Sequence, residues 1–211
     1  MHEWYAAPME GLTGWRWRQV QHEMFGRAAL YVTPFVSPNG NFSFQRKELE
    51  ELDPERNRGI PVVPQILTNR AEYFVWAAKE CRSRGWAQVD LNLGCPSGTV
   101  TGKKKGAGLL RQPELLRQLL DGIFDALPDM KISVKTRIGW ERAEEWPALL
   151  ALLETYPICR LTVHPRVRTQ FYKGTADREV FRWTAEHTAL PLCYNGDVTT
   201  VRDLWEMGEA F

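Results

Sequence analysis

The stretch Val89-Asp90-Leu91-Asn92-Leu93-Gly94-Cys95-Pro96 decides how this chain is read. Apolar and polar residues alternate from Val89 to Leu93, as they do along a buried strand. The run stops at Gly-Cys-Pro, and proline, which has no N–H, cannot continue a ladder. Cys95 therefore falls where a strand passes into a loop. In a parallel α/β barrel such strand ends form the C-terminal rim, where the chemistry sits. Asn92 and Cys95 would then share one mouth, one as an amide and one as a thiol.

Outward from this stretch, strand and helix alternate. The spacing predicts strands over Glu3–Met9, Leu30–Phe35, Ile60–Leu67, Gln88–Leu93, Lys131–Thr136, Arg160–His164 and Leu190–Asn195. Helices are predicted after Gly14 to about Met24, through Glu48–Leu52, over Arg70–Arg84, from Pro113, over Glu144–Thr155 and from Thr200. Strands recurring at about 30-residue spacing with helices between them argue for parallel βαβ units. No GxGxxG follows the first strand, which counts against a dinucleotide-binding Rossmann domain. Polar residues stand at nearly every strand end, as in a TIM-type (β/α)8 barrel. Seven βα units are countable and the eighth strand is missing. The expected fold is an incomplete barrel, with residues 1–211 forming one C-terminally truncated domain and the edges of its first and last strands unpaired.

Composition sets the outer bounds. The chain has 211 residues, 44% hydrophobic and 25% charged, enough for one sizeable core. A formal net charge of +1 supplies no global attraction for nucleic acid, so such a partner must be held by a local patch. Met1-His2-Glu3-Trp4-Tyr5 does not open a leader, and no run is long enough to span a membrane, so the expectation is cytoplasmic. Cys81, Cys95, Cys159 and Cys193 form no CxxC pair and no metal-ligand spacing, so no metal is expected. Cys81, Cys159 and Cys193 read as small buried hydrophobes.

Several further stretches carry a resemblance: Ala7-Pro8-Met9-Glu10-Gly11-Leu12-Thr13, Pro64-Gln65-Ile66, Gly106-Ala107-Gly108-Leu109-Leu110, Val134-Lys135-Thr136-Arg137-Ile138-Gly139-Trp140, Thr162-Val163-His164-Pro165-Arg166-Val167-Arg168-Thr169-Gln170 and Tyr194-Asn195-Gly196-Asp197. With the Cys95 stretch, in this order and spacing, the chain resembles the tRNA-dihydrouridine synthases, FMN-dependent barrel reductases. The resemblance implies hydride transfer from reduced flavin to C6 of a uridine in tRNA, with Cys95 protonating C5 and NADPH as reductant. It also implies an eighth strand with a Gly-Arg phosphate contact and a helical tRNA-gripping domain. Neither is in this sequence, so part of the phosphate site and most of the RNA surface are expected to be missing.

The residue chemistry can be weighed beside that resemblance. Lys135 is a costly charge at the end of an apolar strand, and a flavin's N1–C2=O edge is a fitting partner; the bland alternative is an ion pair at the rim. Gln65 can donate to and accept from a pyrimidine edge, though taken alone it reads as a loop amide. Pro8 and Met9 offer packing against the ring. His164 would reach the flavin or a substrate carbonyl, and Asn195, Gly196 and Asp197 would present N–H groups to the FMN phosphate. Without the other stretches that triplet is an ordinary Asn-Gly turn. A thiol with a pKa near ~8.5 is about 97% protonated at pH 7, as a proton donor must be. Asn92 would orient the base, Arg166 and Arg168 would meet phosphate or base, and Lys103 belongs to a lysine-rich loop read as a mobile lid for RNA. Two rival readings remain beside this one: a flavin reductase of free pyrimidines, and an inactive barrel.

Overall fold

The computed structural model describes residues 3–211; Met1 and His2, part of the segment read above for a leader, lie outside them. Eight strand segments are arranged in chain order and all neighbours are parallel. They are β1 (Tyr5–Ala6), β2 (Leu30–Val32), β3 (Val62–Val63), β4 (Gln65–Ile66), β5 (Gln88–Leu93), β6 (Lys131–Arg137), β7 (Arg160–His164) and β8 (Leu192–Tyr194). The third predicted strand is β3 and β4 together, divided at Pro64. Having no N–H, Pro64 interrupts the ladder: β3 pairs with β2 and β4 with β5, while Ile66 of β4 keeps a parallel bridge to Val36 beyond β2. The Gln65 N–H that would be orphaned at the break is taken by the Thr33 hydroxyl at 3.0 Å.

The helices are α1 (Trp15–Met24), α2 (Arg46–Glu51), α3 (Ala71–Ser83), α4 (Gly98–Thr101), α5 (Pro113–Ala126), α6 (Trp146–Leu153), α7 (Arg178–His187) and α8 (Val201–Ala210). α7 is absent from the sequence prediction. Its start signal is Asp177, whose carboxylate accepts from the N–H groups of Glu179 and Val180. Among the described residues no hydrogen-bonded pair joins β8 to β1.

Strand periodicity places the core. Val89, Leu91 and Leu93 on β5, Ile132 and Val134 on β6, and Leu161 and Val163 on β7 all face one side and are fully buried or nearly so. They form a single cluster with Phe74 and Ala78 of α3, Leu116 and Leu120 of α5, and Trp146 and Leu150 of α6. The opposite side faces the barrel interior and carries the alternate residues. Strand register sets them in rows: Gln65, Asp90, Ser133 and Arg160; then Asn92, Lys135, Thr162 and Cys193; then Arg137 and His164. Barrel interiors are commonly packed with branched apolar side chains, so this polar interior is a departure that points to a site. It also corrects the reading of Cys193, which is half-buried and turned into the interior.

Arg18 of α1 is buried and paired with Glu51 at 2.8 Å, and it donates to Asn57 at 3.2 and 2.8 Å. This fastens α1 to the segment after β2.

Candidate functional site

Cys95 is held by the strand that precedes it. Asn92 Oδ1 accepts from the N–H groups of Gly94 and Cys95 at 3.1 and 2.9 Å, which turns the chain sharply off the end of β5. Gly106 closes against this turn with φ +54°, and a Cβ there would sit 2.9 Å from Cys95 O, so only glycine fits without strain. The thiol is half-buried. Desolvation pushes its pKa up, against a pull from the Ser97 N–H and from Arg137 and Lys135, so Cys95 is protonated at neutral pH.

Asn92 donates to Gln65 Oε1 at 2.7 Å, and Gln65 donates to Asp90 Oδ2 at 2.8 Å. Gln65 therefore keeps one N–H and one lone pair for anything above it, and Asn92 keeps one N–H.

Lys135 sits beside Asn92 in the next strand, half-buried, with neither a hydrogen bond nor an ion pair to its ammonium among the described residues. The ion-paired alternative is thus not what the structure has. Desolvation, with Arg137 close by, pulls the Lys135 pKa down to about 8 in spite of Asp90. Arg137 is a site residue that sequence reasoning did not single out. It is buried two positions beyond Lys135 on the same face, donating to Gly94 O at 3.0 Å and Val167 O at 3.1 Å. The period of two from Lys135 was the available signal. The exposed Tyr172 ring stands over its guanidinium at 5.4 Å.

His164 Nε2 lies 3.0 Å from Arg166 Nη1. A guanidinium only donates, so Nε2 accepts and the proton is on Nδ1. Burial and the charges of Lys135, Arg137 and Arg166 hold the His164 pKa near 3, so the ring is neutral at physiological pH. Its Nδ1–H is a donor with no partner among the described residues.

Arg166 requires a correction. It is 3% exposed, and beyond His164 it donates to Gly174 O at 2.6 Å, to Lys173 O at 3.3 Å and to Asp197 Oδ2 at 2.9 Å, with Asp197 Oδ1 in ion-pair contact at 2.8 Å. Such a group braces the loop after β7 and is not offered to an RNA phosphate. Asp197 accepts in addition from Ala176 N at 2.7 Å. Burial raises its pKa, but Ala176 and Arg166 outweigh this and leave it below the usual carboxylate range. The Asn195 N–H is used by Val163 O, whereas those of Gly196 and Asp197 make no hydrogen bond among the described residues.

Arg168 is half-buried between Trp140 and Phe171, 4.7 Å from each ring, and donates to Thr101 Oγ1 at 3.2 Å. It thereby joins the loop after β7 to the loop after Cys95. That second loop, read as a mobile lid, is folded: α4 occupies part of it, Asn69 donates to Lys103 O at 3.1 Å, and Lys105 donates to Ser37 Oγ at 3.0 Å. Lys103 and Lys104 point to solvent. Pro8 lines the narrow interior cavity together with Asp90, Lys135 and Arg160, and Met9 is half-exposed at the rim. The cavity measures about 30 Å3, room for a water but not for a heterocycle. A wider groove of about 710 Å3 between the loops after β6 and β7 shares only Asp197 with the predicted residues. Among the described residues no group of side chains is arranged to hold a metal ion, and no helix is long and apolar enough to cross a membrane.

A parallel α/β barrel with cationic and amide side chains gathered at its C-terminal mouth defines the class. Solved structures share the fold: a variant of NCR from Zymomonas mobilis superimposes with a TM-score of 0.61 at 14% identity, covering 98% of this chain and 79% of that one. A second, from Coccidioides immitis, gives 0.60 at 13%. Within that class, the dihydrouridine synthase profile matches residues 5–210, and the chain belongs to the dihydrouridine synthase family. A "Probable tRNA-dihydrouridine synthase" of Rhizobium leguminosarum is 32% identical over 202 residues, 95% of this chain and 62% of that protein. "tRNA-dihydrouridine synthase B" of Proteus vulgaris is 31% identical over 195 residues, 92% of this chain and 59% of its own. The chain thus spans about six tenths of the length of the curated relatives it matches.

Proposed function

We propose that this chain is the catalytic barrel of a tRNA-dihydrouridine synthase, reducing the C5–C6 double bond of a uridine in tRNA. The observation that carries this reading is the pairing of an unpartnered Lys135 ammonium with a protonated Cys95 thiol at one polar mouth. FMN fits the donor set. Lys135 would meet the electron-rich edge of its ring, the spare N–H of Gln65 and the Nδ1–H of His164 would meet carbonyl oxygens, and the free N–H groups of Gly196 and Asp197 would meet phosphate. Pro8 and Met9 would pack against the ring. When bound, FMN reduced by NADPH supplies the hydride that adds to C6.

The protein's own part is positioning and one proton. The remaining N–H of Asn92 would hold a uracil carbonyl, and the Cys95 S–H breaks as its proton is delivered to C5. The resulting thiolate is left beside Arg137 and Lys135, whose charges stabilise it until it recovers a proton from water. Uridine inside folded RNA has to be flipped out to reach such a mouth. Lys103 and the half-exposed Arg168 would contact the RNA backbone, and Arg166 braces the loop that carries Arg168. A cytoplasmic place follows from the substrate.

Cys95→Ala tests this with unmodified tRNA. NADPH should still reduce bound flavin at the parent rate, while dihydrouridine formation falls by about 10²–10⁴-fold. Equal product from parent and variant would remove Cys95 from its role. Turnover of free uridine but not tRNA would move the reading to a small-molecule reductase.

A further inference from the structure

The direction of every amide beneath Cys95 is forced. Backbone N–H groups only donate, so the Asn92 atom facing Gly94 and Cys95, at 3.1 and 2.9 Å, is Oδ1. Nδ2 then faces Gln65, which must turn Oε1 toward it at 2.7 Å. The other end of that amide, Nε2, is left to donate to Asp90 Oδ2 at 2.8 Å. Asp90 ends the series, with its second oxygen taking the Ser133 hydroxyl at 2.7 Å. Gln65, Asp90, Asn92 and Ser133 are all buried, so an amide facing the wrong way would set donor against donor with no water to repair it.

From this geometry we infer that Asp90 is a positioning residue for Cys95: through Gln65 and Asn92 it fixes the amide polarity that holds the Cys95 turn. A carboxylate suits the end of the series because both of its oxygens accept, whereas an amide there has two unlike ends. Burial pushes the Asp90 pKa up, and the charges of Arg160 and Lys135 act to keep the group ionised. The functional meaning rests on Cys95 being the proton donor proposed above, but the coupling belongs to the protein alone.

Asp90→Asn should keep the polarity through a compensation that can be removed. The introduced amide can present its oxygen to Gln65 only if its NH2 finds an acceptor. Ser133 Oγ can become that acceptor by turning its hydrogen toward Val89 O, 3.5 Å away. In a Ser133→Ala background this is impossible, and the amide loses its preferred end.

Backbone amide exchange of Gly94 and Cys95, measured by NMR on the whole chain without flavin or RNA, reads the outcome. The parent, D90N and S133A should protect both amides alike. D90N/S133A should exchange them about tenfold faster, with the amides inside Gln88–Leu93 unchanged. D90N and the double variant have the same charge, so a field effect cannot produce the difference. Parent-like exchange in the double variant, or equal acceleration along all of β5, overturns the inference. Should the double variant fail to fold, Gln65→Leu removes the middle link and must accelerate the same two amides; unchanged exchange there overturns it too. In D90N/S133A, product formation should fall with the exchange effect while flavin reduction by NADPH holds. If exchange responds and product formation does not, the coupling stands and the assigned role of Cys95 falls.

Discussion

The two faces of strands β5, β6 and β7 follow opposite rules. Outward, Leu91, Val134 and Val163 press against α3, α5 and α6 with no polar atom to satisfy. Inward, Asp90, Lys135 and Arg160 occupy a space where each charge loses hydration. The hydrophobic effect and close packing hold the first face together, and its parts are interchangeable in kind. The second face costs stability unless every group finds a partner or a ligand. Arg166 shows the solved case, with its donors committed to Asp197, Gly174, Lys173 and His164. Lys135 shows the open one. The difference marks where the molecule keeps capacity for something it does not itself contain.

Substitutions on the two faces should therefore move stability in opposite directions. The largest loss is expected outside: Phe74→Ala, at a fully buried site on α3, should lower unfolding free energy by about 3–5 kcal/mol in urea titration. A loss under ~1 kcal/mol would mean that the outer shell is not where the fold is held.

Lys135→Met should do the reverse, gaining about 2 kcal/mol at pH 7 while flavin retention drops; this allows for partial solvation of the ammonium. The sign follows from protons. A folded pKa of about 8, below the ordinary 10.5, means that the unfolded chain binds more protons between those values. The Lys135 charge penalises the folded state fully below pH 8, and the penalty is relieved as pH rises toward 10.5. The gain of the methionine variant over the parent should shrink across that window, and a constant gain would show that Lys135 is paired in solution. The smallest effect is expected at the rim. Lys103→Ala should leave thermal unfolding unchanged and reduce the salt slope of RNA binding by about one.

Much of this was legible in the chain. Alternation over Val89–Leu93 with the Pro96 stop located β5 and set Cys95 at a strand end, because both signals are local. Lys135 was legible as an expensive charge in an apolar strand. The committed state of Arg166 was not, because Asp197 lies 31 residues away and only the fold brings it near. The same holds for Arg168 and Thr101, 67 residues apart, whose bond ties the loop after Cys95 to the loop after β7. Asn92 reads from sequence as an amide that would orient the base. Its position three residues before Cys95 already allowed the turn-holding role, and only the observed N–H contacts select it. α7 was missed although its cap Asp177 was in plain view.

The break at Pro64 and the register beyond it have one more consequence, for how the barrel wall assembles. Each residue of β5 meets a fixed partner on β6, from Gln88 with Lys131 to Leu93 with Thr136. A slip of a single position would carry Ser133, Lys135 and Arg137 into the oily layer beside Leu116 and Trp146. The wrong alignment would be far costlier than an apolar barrel's would be, so the groups that burden the native state also guard it against misassembly.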